Sequence, residues 1–598
     1  MTESTVFAPA AFLGVARSAT GRAWRARCDG AAAMVATAIA QTHGVPDVLA
    51  RVLAGRGVSV QDAPGFLAPR LRDLMPDPHV LRDMEAAATR LADAVARRET
   101  VAIFGDYDVD GACSAALLAD YLRACGLAVH VHVPDRVTEG YGPNAAAIRT
   151  LAGKGARLLV TVDCGTAGHE PLAEARRLGL DTVVLDHHQA PETLPDAIVV
   201  NPNRQDDLSG LGHLCAAGVV FLTLVALARI LRGRGFFGEG APDLLDGLDL
   251  VALATVADVV PLVGLNRAFV RQGLAVMRGR GRLGLAALAD AARLDEPPEC
   301  FHLGYVLGPR INAGGRIGDA ALGARLLSTA DPVEAGRIAA ELDRLNRERQ
   351  AIEQEAVAEA EAQALLALDR APDAPVLVTA SPDWHAGVVG LVAARMKERF
   401  GRPAFAFTVH ADGTAVGSGR SVAGADLGRA VRAAVEAGIT AKGGGHAMAA
   451  GATLAGSDIP AFGAFLAGRL RAAVEAGPAD ALLVDATLTA AGARPEIVAA
   501  VERAGPFGSG QPEPVFAFAN HRVVDVREVG SGHVRVRLRA GDGATLGGIA
   551  FRAAGQPLGR ALAGALGAPL HVAGHLCRDT WNGSEKVELR ICDAATPL

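Results

Sequence analysis

At 598 residues the chain is too long for a single hydrophobic core, and its length predicts three or four domains. Half of the residues are hydrophobic and 21% are charged, which excludes a disordered chain, while a net charge of −6 excludes a polybasic coat but leaves room for a local basic groove. The eight cysteines (28, 113, 125, 164, 215, 300, 577 and 592) contain no CxxC pair, so neither a zinc cluster nor a disulfide framework is expected and a reduced, cytoplasmic setting fits.

In chain order, residues 1–80 are mixed, with helical patterns over Ala31–Thr42 and Pro46–Leu53. From residue 81 helices and strands alternate: helix 81–98, strand 101–105, helix 112–124, strand 127–133, helix 144–153, strand 157–162, helix 170–178, strand 181–185 and strand 197–200. That alternation predicts a mostly parallel sheet covered by helices, whose ligands gather beyond the C-terminal strand ends. The apolar run 216–228 ends at Arg229, short of the roughly 20 residues a spanning helix needs, and reads as a buried helix with no membrane contact. A charged helical pattern from Asp331 to about Asp369 is free of Gly and Pro beyond Arg337 and reads as a bridge between domains. A second α/β unit follows (strand 376–379, helix 387–399, strands 404–408 and 414–419, helix 426–436), and short strands from 481 onward predict a small barrel. The expected architecture is therefore α/β, divided as 1–80, 81–325, 326–370 (connecting helix), 371–475 and 481–598 (β-barrel).

The loops after the first strands carry the chemistry. "FGDYDVDG" (104–111) places Asp106, Asp108 and Asp110 at alternate positions, which in an extended strand point to one side. Clustered carboxylates are costly unless cations offset them, and one helix dipole cannot balance three. Asp163 ends "RLLVTVD", "LDHH" (185–188) adds Asp186, His187 and His188, and Asp258 interrupts the apolar run "LATVADVVPL". Each acid alone is an ordinary loop or cap residue; together with two imidazoles they read as an oxygen-rich site for Mn²⁺ or Mg²⁺, such as two-metal phosphoester hydrolysis uses. Anion-binding groups accompany them on three glycine turns: Arg136 in "VPDRVTEGYGPN", Arg310 and Arg316 in "GPRINAGGRIGDA", and Ser418, Arg420 and Ser421 in "AVGSGRS" just beyond a strand, while "KGGGHAMAAG" offers exposed backbone amides and His446. In "HVRVRLR" (533–539) His533, Arg535, Arg537 and Arg539 alternate with apolar residues, a stripe that suits either a nucleic-acid backbone or a solvated strand face. Tyr141, Trp384 and Trp581 are the aromatic candidates for base stacking.

"FGDYDVDG", "TVDCG", "LDHH", "ATVADVVPL", "RINAGGRIGDA", "WHAGVVGLVAARM", "GSGRS" and "GGHAMAAG", in this order from about residue 45 to the C-terminus, closely resemble the RecJ branch of the DHH phosphoesterase superfamily. The resemblance implies a DHH domain, a connecting helix, a DHHA1 domain and an OB-fold, with Mn²⁺- or Mg²⁺-dependent 5′→3′ degradation of single-stranded DNA to mononucleotides. It implies Asp108, Asp110, Asp163, His187 and Asp258 as metal ligands (two ions), with Asp106 and His188 as catalytic groups in or beside that shell. Arg136, Arg310, Ser418 and Arg420 match positions resembling the family's 5′-phosphate and backbone contacts, and Cys164 stands where the family usually has Asn. A helicase and a single-strand-binding protein are the implied partners of a monomer. A DHH phosphodiesterase acting on short oligonucleotides or cyclic dinucleotides is the alternative enzyme, and a scaffold that has lost its ligands is the non-enzymatic one.

Overall fold

The computed structural model describes residues 11–136, 138–238, 240–476, 481–579 and 586–597. It forms two compact units: Met75–Pro261 with Phe269–Pro478, and Met1–Leu74 with Leu262–Ala268 and Ala479–Leu598.

In the larger unit, α1 (Met84–Arg97) precedes a sheet of five strands: β1 (Val101–Gly105), β2 (Val129–His132), β3 (Leu158–Val162), β4 (Asp181–Leu185) and β5 (Ile198–Val200). Their order is β2-β1-β3-β4-β5, and every neighbouring pair is parallel. Helices α2 (Val109–Ala124), α3 (Ala145–Gly153) and α4 (His169–Arg177) make the crossovers. Because helices cover both faces, β1 and β3 are buried at every position, which is why they read as continuous apolar runs. The chain leaves β1 for β2 on one side and returns to β3 on the other, so the loops after β1 and β3 part and open a crevice at their C-terminal ends. Around the sheet pack α5 (Ala216–Gly233), α6 (Leu248–Ala257) and α7 (Gly308–Ile317). Among the described residues α5 is the one helix long and apolar enough to cross a membrane, and 72% of it is buried within the fold.

α8 (Pro332–Arg370) is a 39-residue helix, about 58 Å long at 1.5 Å per residue. Asp331 caps its start by accepting the Val333 amide, and Leu342 and Leu345 sit in its buried stripe. It leads to a second sheet: β6 (Leu377–Ser381), β7 (Ala404–Val409), β8 (Thr414–Arg420), β9 (Lys442–His446) and β10 (Ala449–Ala455), in the order β9-β10-β8-β7-β6. Only β6 and β7 are parallel there, and α9 (Val389–Phe400), α10 (Leu427–Glu436) and α11 (Ile459–Glu475) accompany the sheet.

"GPRINAGGRI" is the helix α7, not a turn, and "KGGGH" is one arm of a hairpin; the strand expected over 414–419 is β8, which runs on through Arg420 where a turn was expected. In β8 the glycines serve packing: a Cβ on Gly417 would stand 2.3 Å from the Phe407 ring, and one on Gly419 2.4 Å from the Phe405 ring.

In the smaller unit, helices Gly30–His43 and Asp47–Ala54 share a core with the barrel, and strand Ala23–Ala26 pairs in parallel with Ala481–Val484. The barrel strands Phe516–Val529, His533–Arg539, Thr545–Ala550, Lys586–Ala595 and Pro569–Asp579 pair in that order. Pairing of the last with the first closes the ring. Val534, Val536 and Leu538 face its core and Arg535, Arg537 and Arg539 face solvent.

Candidate metal centre

The first three acids converge by a different route from strand alternation. β1 ends at Gly105, so Asp106 and Tyr107 form a short loop, Asp108 is the N-cap of α2 and Asp110 lies in its first turn. The helix begins at Val109, three residues earlier than its apolar pattern indicates, because the Asp108 carboxylate accepts the Gly111 amide at 3.1 Å. Gly111 is required by closeness: a Cβ there would stand 2.4 Å from the Asp106 carbonyl oxygen. Asp110 is buried, and its two oxygens accept the amides of Ala216 (2.7 Å) and Ala217 (2.9 Å) at the start of α5, whose N-terminal dipole offsets part of its charge.

Asp163 follows β3 with a left-handed backbone (φ +61°), a strained shape for a residue with a Cβ. His187 follows β4, and its Nε2 lies 3.3 Å from Asp163, 3.6 Å from Asp258 and 3.7 Å from Asp110. Asp258 caps the C-terminus of α6. Three overlapping groups have ligand atoms within 4.8 Å of one another: Asp106, Asp108 and Asp163; Asp110, His187 and Asp258; and Asp163, His187 and His188. The seven acids and imidazoles expected from sequence thus come together.

Asp186 has another task. Its carboxylate accepts the amides of Thr166, His187 and His188 and bonds His188 Nδ1 at 2.8 Å, so it shapes the loop that aims both imidazoles. Burial works against its charge, but the bonds from His188 and Thr166 hold it well below the usual carboxylate range. For His188 burial also opposes charge, and the Asp186 bond overcomes it, raising the imidazole to about 9. Tyr141 reaches the same place, with its hydroxyl 3.1 Å from His188 Nδ1. Asn201 donates to the His188 carbonyl and Asn203 to the His187 carbonyl. These two asparagines were missed from sequence; their signal is a polar "NPN" immediately after β5, at the same sheet edge.

The carboxylates that crowd here are pushed upward. Burial comes first for Asp106, Asp110, Asp163 and Asp258, followed for Asp106, Asp163 and Asp258 by the charge of neighbouring aspartates, and Asp258 reaches about 8. Asp106 Oδ1 and Asp163 Oδ1 are buried without a hydrogen-bond partner. Hard oxygen donors, imidazole nitrogen and orphaned carboxylate oxygens fit divalent cations of the Mn²⁺ or Mg²⁺ type. Cys164 contributes no ligand: its buried thiol lies 3.5 Å from the Val162 carbonyl.

Cationic groups stand beside the acids. The Arg136 guanidinium lies 5.2 Å from the centre of the Tyr107 ring, between Asp106 and Asp108 in sequence. Arg316 on α7 donates to the Gly387 carbonyl at 3.0 Å, and burial, then the charges of Arg136, Arg349 and Arg420, lower it to about 10. Arg420 donates to Ser418 Oγ at 2.9 Å, and a Cβ on Gly390, in the first turn of α9, would be 3.2 Å from both side chains. Arg136, Arg316 and Arg420, with the Ser418 hydroxyl and the N-terminus of α9, make a cradle suited to a phosphate. His446 lies on β9, and partial burial, then the charges of His188, Arg432 and His187, hold its imidazole below the usual range. Arg310 departs from the expected substrate contact: its guanidinium faces α8, bonding Asp343 at 3.0 Å and the Val306 carbonyl at 2.8 Å. Trp384 is buried with its indole N–H on Glu359, a core residue and not a stacking platform, and Trp581 lies outside the described residues.

The family description "DHH family, N-terminal domain" matches residues 100–255, "DHHA1 domain" residues 373–472 and "RecJ OB domain" residues 484–593. The single-stranded-DNA-specific exonuclease RecJ of Dickeya dadantii is 40% identical over 527 residues, covering 85% of this chain and 89% of that protein. The crystal structure of RecJ in complex with Mn²⁺ from Thermus thermophilus is 31% identical with a TM-score of 0.77, covering 94% of this chain and 78% of that one. RecJ in complex with Mg²⁺ from the same organism is 29% identical with a TM-score of 0.72, at 94% and 77% coverage. With its DHH, DHHA1 and OB domains and this extent of identity, the chain belongs to the RecJ family of single-stranded-DNA-specific exonucleases.

Proposed function

We propose that the protein is a metal-dependent exonuclease that degrades single-stranded DNA from its 5′ end to mononucleotides, in DNA recombination and repair. The observation that carries this reading is the meeting of overlapping carboxylate and histidine clusters with a cradle of Arg136, Arg316, Arg420 and Ser418 in one unit. Two Mn²⁺ or Mg²⁺ ions held by Asp106, Asp108 and Asp163 and by Asp110, His187 and Asp258 would supply an activated water and neutralise charge at phosphorus. Arg136, Arg316 and Arg420 with Ser418 hold the terminal 5′-phosphate, which brings the next phosphodiester toward the acids. His188, kept protonated by Asp186, offers its Nε2 proton to a phosphoryl oxygen as charge develops there. His446 on β9 adds a further contact to the substrate. The solvent-facing Arg535, Arg537 and Arg539 of the barrel hold the strand's backbone. On this reading the protein works as a cytoplasmic monomer, with a helicase that exposes the 5′ end and a single-strand-binding protein as partners.

The test is release of labelled mononucleotide from a 5′-phosphorylated single strand with Mn²⁺. A blunt duplex should be spared, and Asp163→Ala should lose more than about 100-fold, since even groups that only orient metal ligands are worth 10–100-fold. Undiminished activity in the variant would sink the metal assignment, and equal attack on the duplex would sink the strand preference.

A further inference from the structure

α7 touches both halves of the site. One helical turn apart on it, Asn312 and Arg316 reach different partners. Asn312 Oδ1 accepts the amide of Val109 at 3.1 Å, and Val109 separates Asp108 from Asp110. Arg316 donates to Gly387, in the loop that enters α9. Both contacts are backed by close backbone packing. A Cβ on Gly315 would stand 2.5 Å from the Tyr107 carbonyl oxygen, and one on Gly387 2.2 Å from the Arg316 carbonyl oxygen. At its first residue, Gly308, a Cβ would be 3.3 Å from the Cβ of Ala257, the neighbour of Asp258. A helix is stiff over one turn, about 6 Å for four residues, so what orders Arg316 also orders Asn312.

We propose that Asn312 is a positioning residue through which the phosphate cradle sets the geometry of the metal centre, with α7 as the strut. A phosphate held by Arg316 and Arg420 immobilises α7, and Asn312 passes this to the Val109 amide and the two carboxylates beside it. Coupling of this kind is reciprocal, so metal binding tightens the cradle in turn. The inference rests on the exonuclease reading above and assigns that site an internal regulation.

Mn²⁺ binding is measured by calorimetry without DNA, and kcat and KM are measured on matched single strands bearing a 5′-phosphate or a 5′-hydroxyl. In the unaltered protein the phosphate should raise kcat as well as lower KM. In Asn312→Ala the KM advantage should remain while the kcat advantage disappears, and Mn²⁺ affinity should fall 10–100-fold. Gly315→Ala should act in the same direction by pushing α7 away from Tyr107, and Asn312→Asp, which keeps the acceptor oxygen, should restore most of both losses. Wild-type Mn²⁺ affinity with an intact kcat advantage in Asn312→Ala overturns the proposal, as does an Asp variant no better than the Ala variant. An unaltered protein indifferent to the 5′ end, or an Asp163→Ala protein that binds Mn²⁺ normally, instead overturns the exonuclease reading and takes this inference with it.

Discussion

At the scale of single residues, the centre is built from groups that are unfavourable one by one. Asp106 and Asp163 are buried with unsatisfied oxygens, and Asp163 holds a left-handed backbone. Gly111 leaves no room for a side chain against Asp106. Gly111→Ala is expected to displace Asp106 and Asp108 and weaken Mn²⁺ binding 10–100-fold; calorimetry showing parental affinity would contradict this. Protonation gives a second prediction. Asp163 and Asp106 lie above their ordinary range and Asp258 near 8, whereas in the unfolded chain all three return to about 4. A carboxyl raised on folding favours the fold while it is protonated, so this part of the metal-free stability is lost as pH rises from about 4 through 8. Divalent cations bind the ionised form and cancel the repulsion, so the Tm increase on adding Mn²⁺ should be larger at pH 8 than at pH 6. Equal increments at the two pH values would count against the acids as the binding groups. The acids and histidines could be read from sequence because strand-end loops so crowded with ionisable groups are unfavourable unless a cation is bound. Asn201 and Asn203 had only the "NPN" after β5 to mark them, and Asn312 had nothing, because an amide that holds a backbone looks like any other amide until its partner is seen.

At the scale of elements, apolar period predicted well, and glycine misled in α7. α8 was legible from its charged pattern, free of Gly and Pro beyond Arg337, and β1, β3 and β4 from their apolar runs. Its glycine content makes α7 resemble a phosphate-binding turn in sequence, while β8 reads as a strand but ends one residue later than expected, at Arg420. In the fold their glycines allow α7 to touch Tyr107 and let Phe405 and Phe407 pack beneath β8, contacts whose partners lie far away in sequence. α8 also carries a buried ion pair, Arg349 with Glu353, both 8% exposed, with Asn346 on the same guanidinium. Glu353→Ala leaves Arg349 charged, buried and without its counter-ion, and should cost about 3–5 kcal/mol, measured by denaturant unfolding. Replacing both partners with apolar residues of similar size should recover much of that loss. A Glu353→Ala variant as stable as the parent would show that the pair is not desolvated.

At the scale of the whole molecule, a net charge of −6 coexists with cations gathered where a polyanion would bind: the arginine cradle in one unit and the barrel stripe in the other. In the stripe Arg535 pairs with Glu588, while Arg537 stands opposite Asp525. Arg537→Ala is expected to weaken binding of a long single strand and to reduce the slope of log K against log salt by about 0.7, the loss of one phosphate contact. An unchanged slope would identify the stripe as an ordinary solvated face. What the sequence by itself determined is what short range controls: strand and helix periods, caps, the barrel's in-out alternation, and the ionisable loops beyond parallel strands. The tertiary structure decided which of those residues meet. It turned Asp110 into the first turn of a helix, directed Arg310 to α8 and set Asn312 on the amide between two metal-site acids. Those outcomes depend on packing between segments far apart in the chain, a relation that local pattern does not encode.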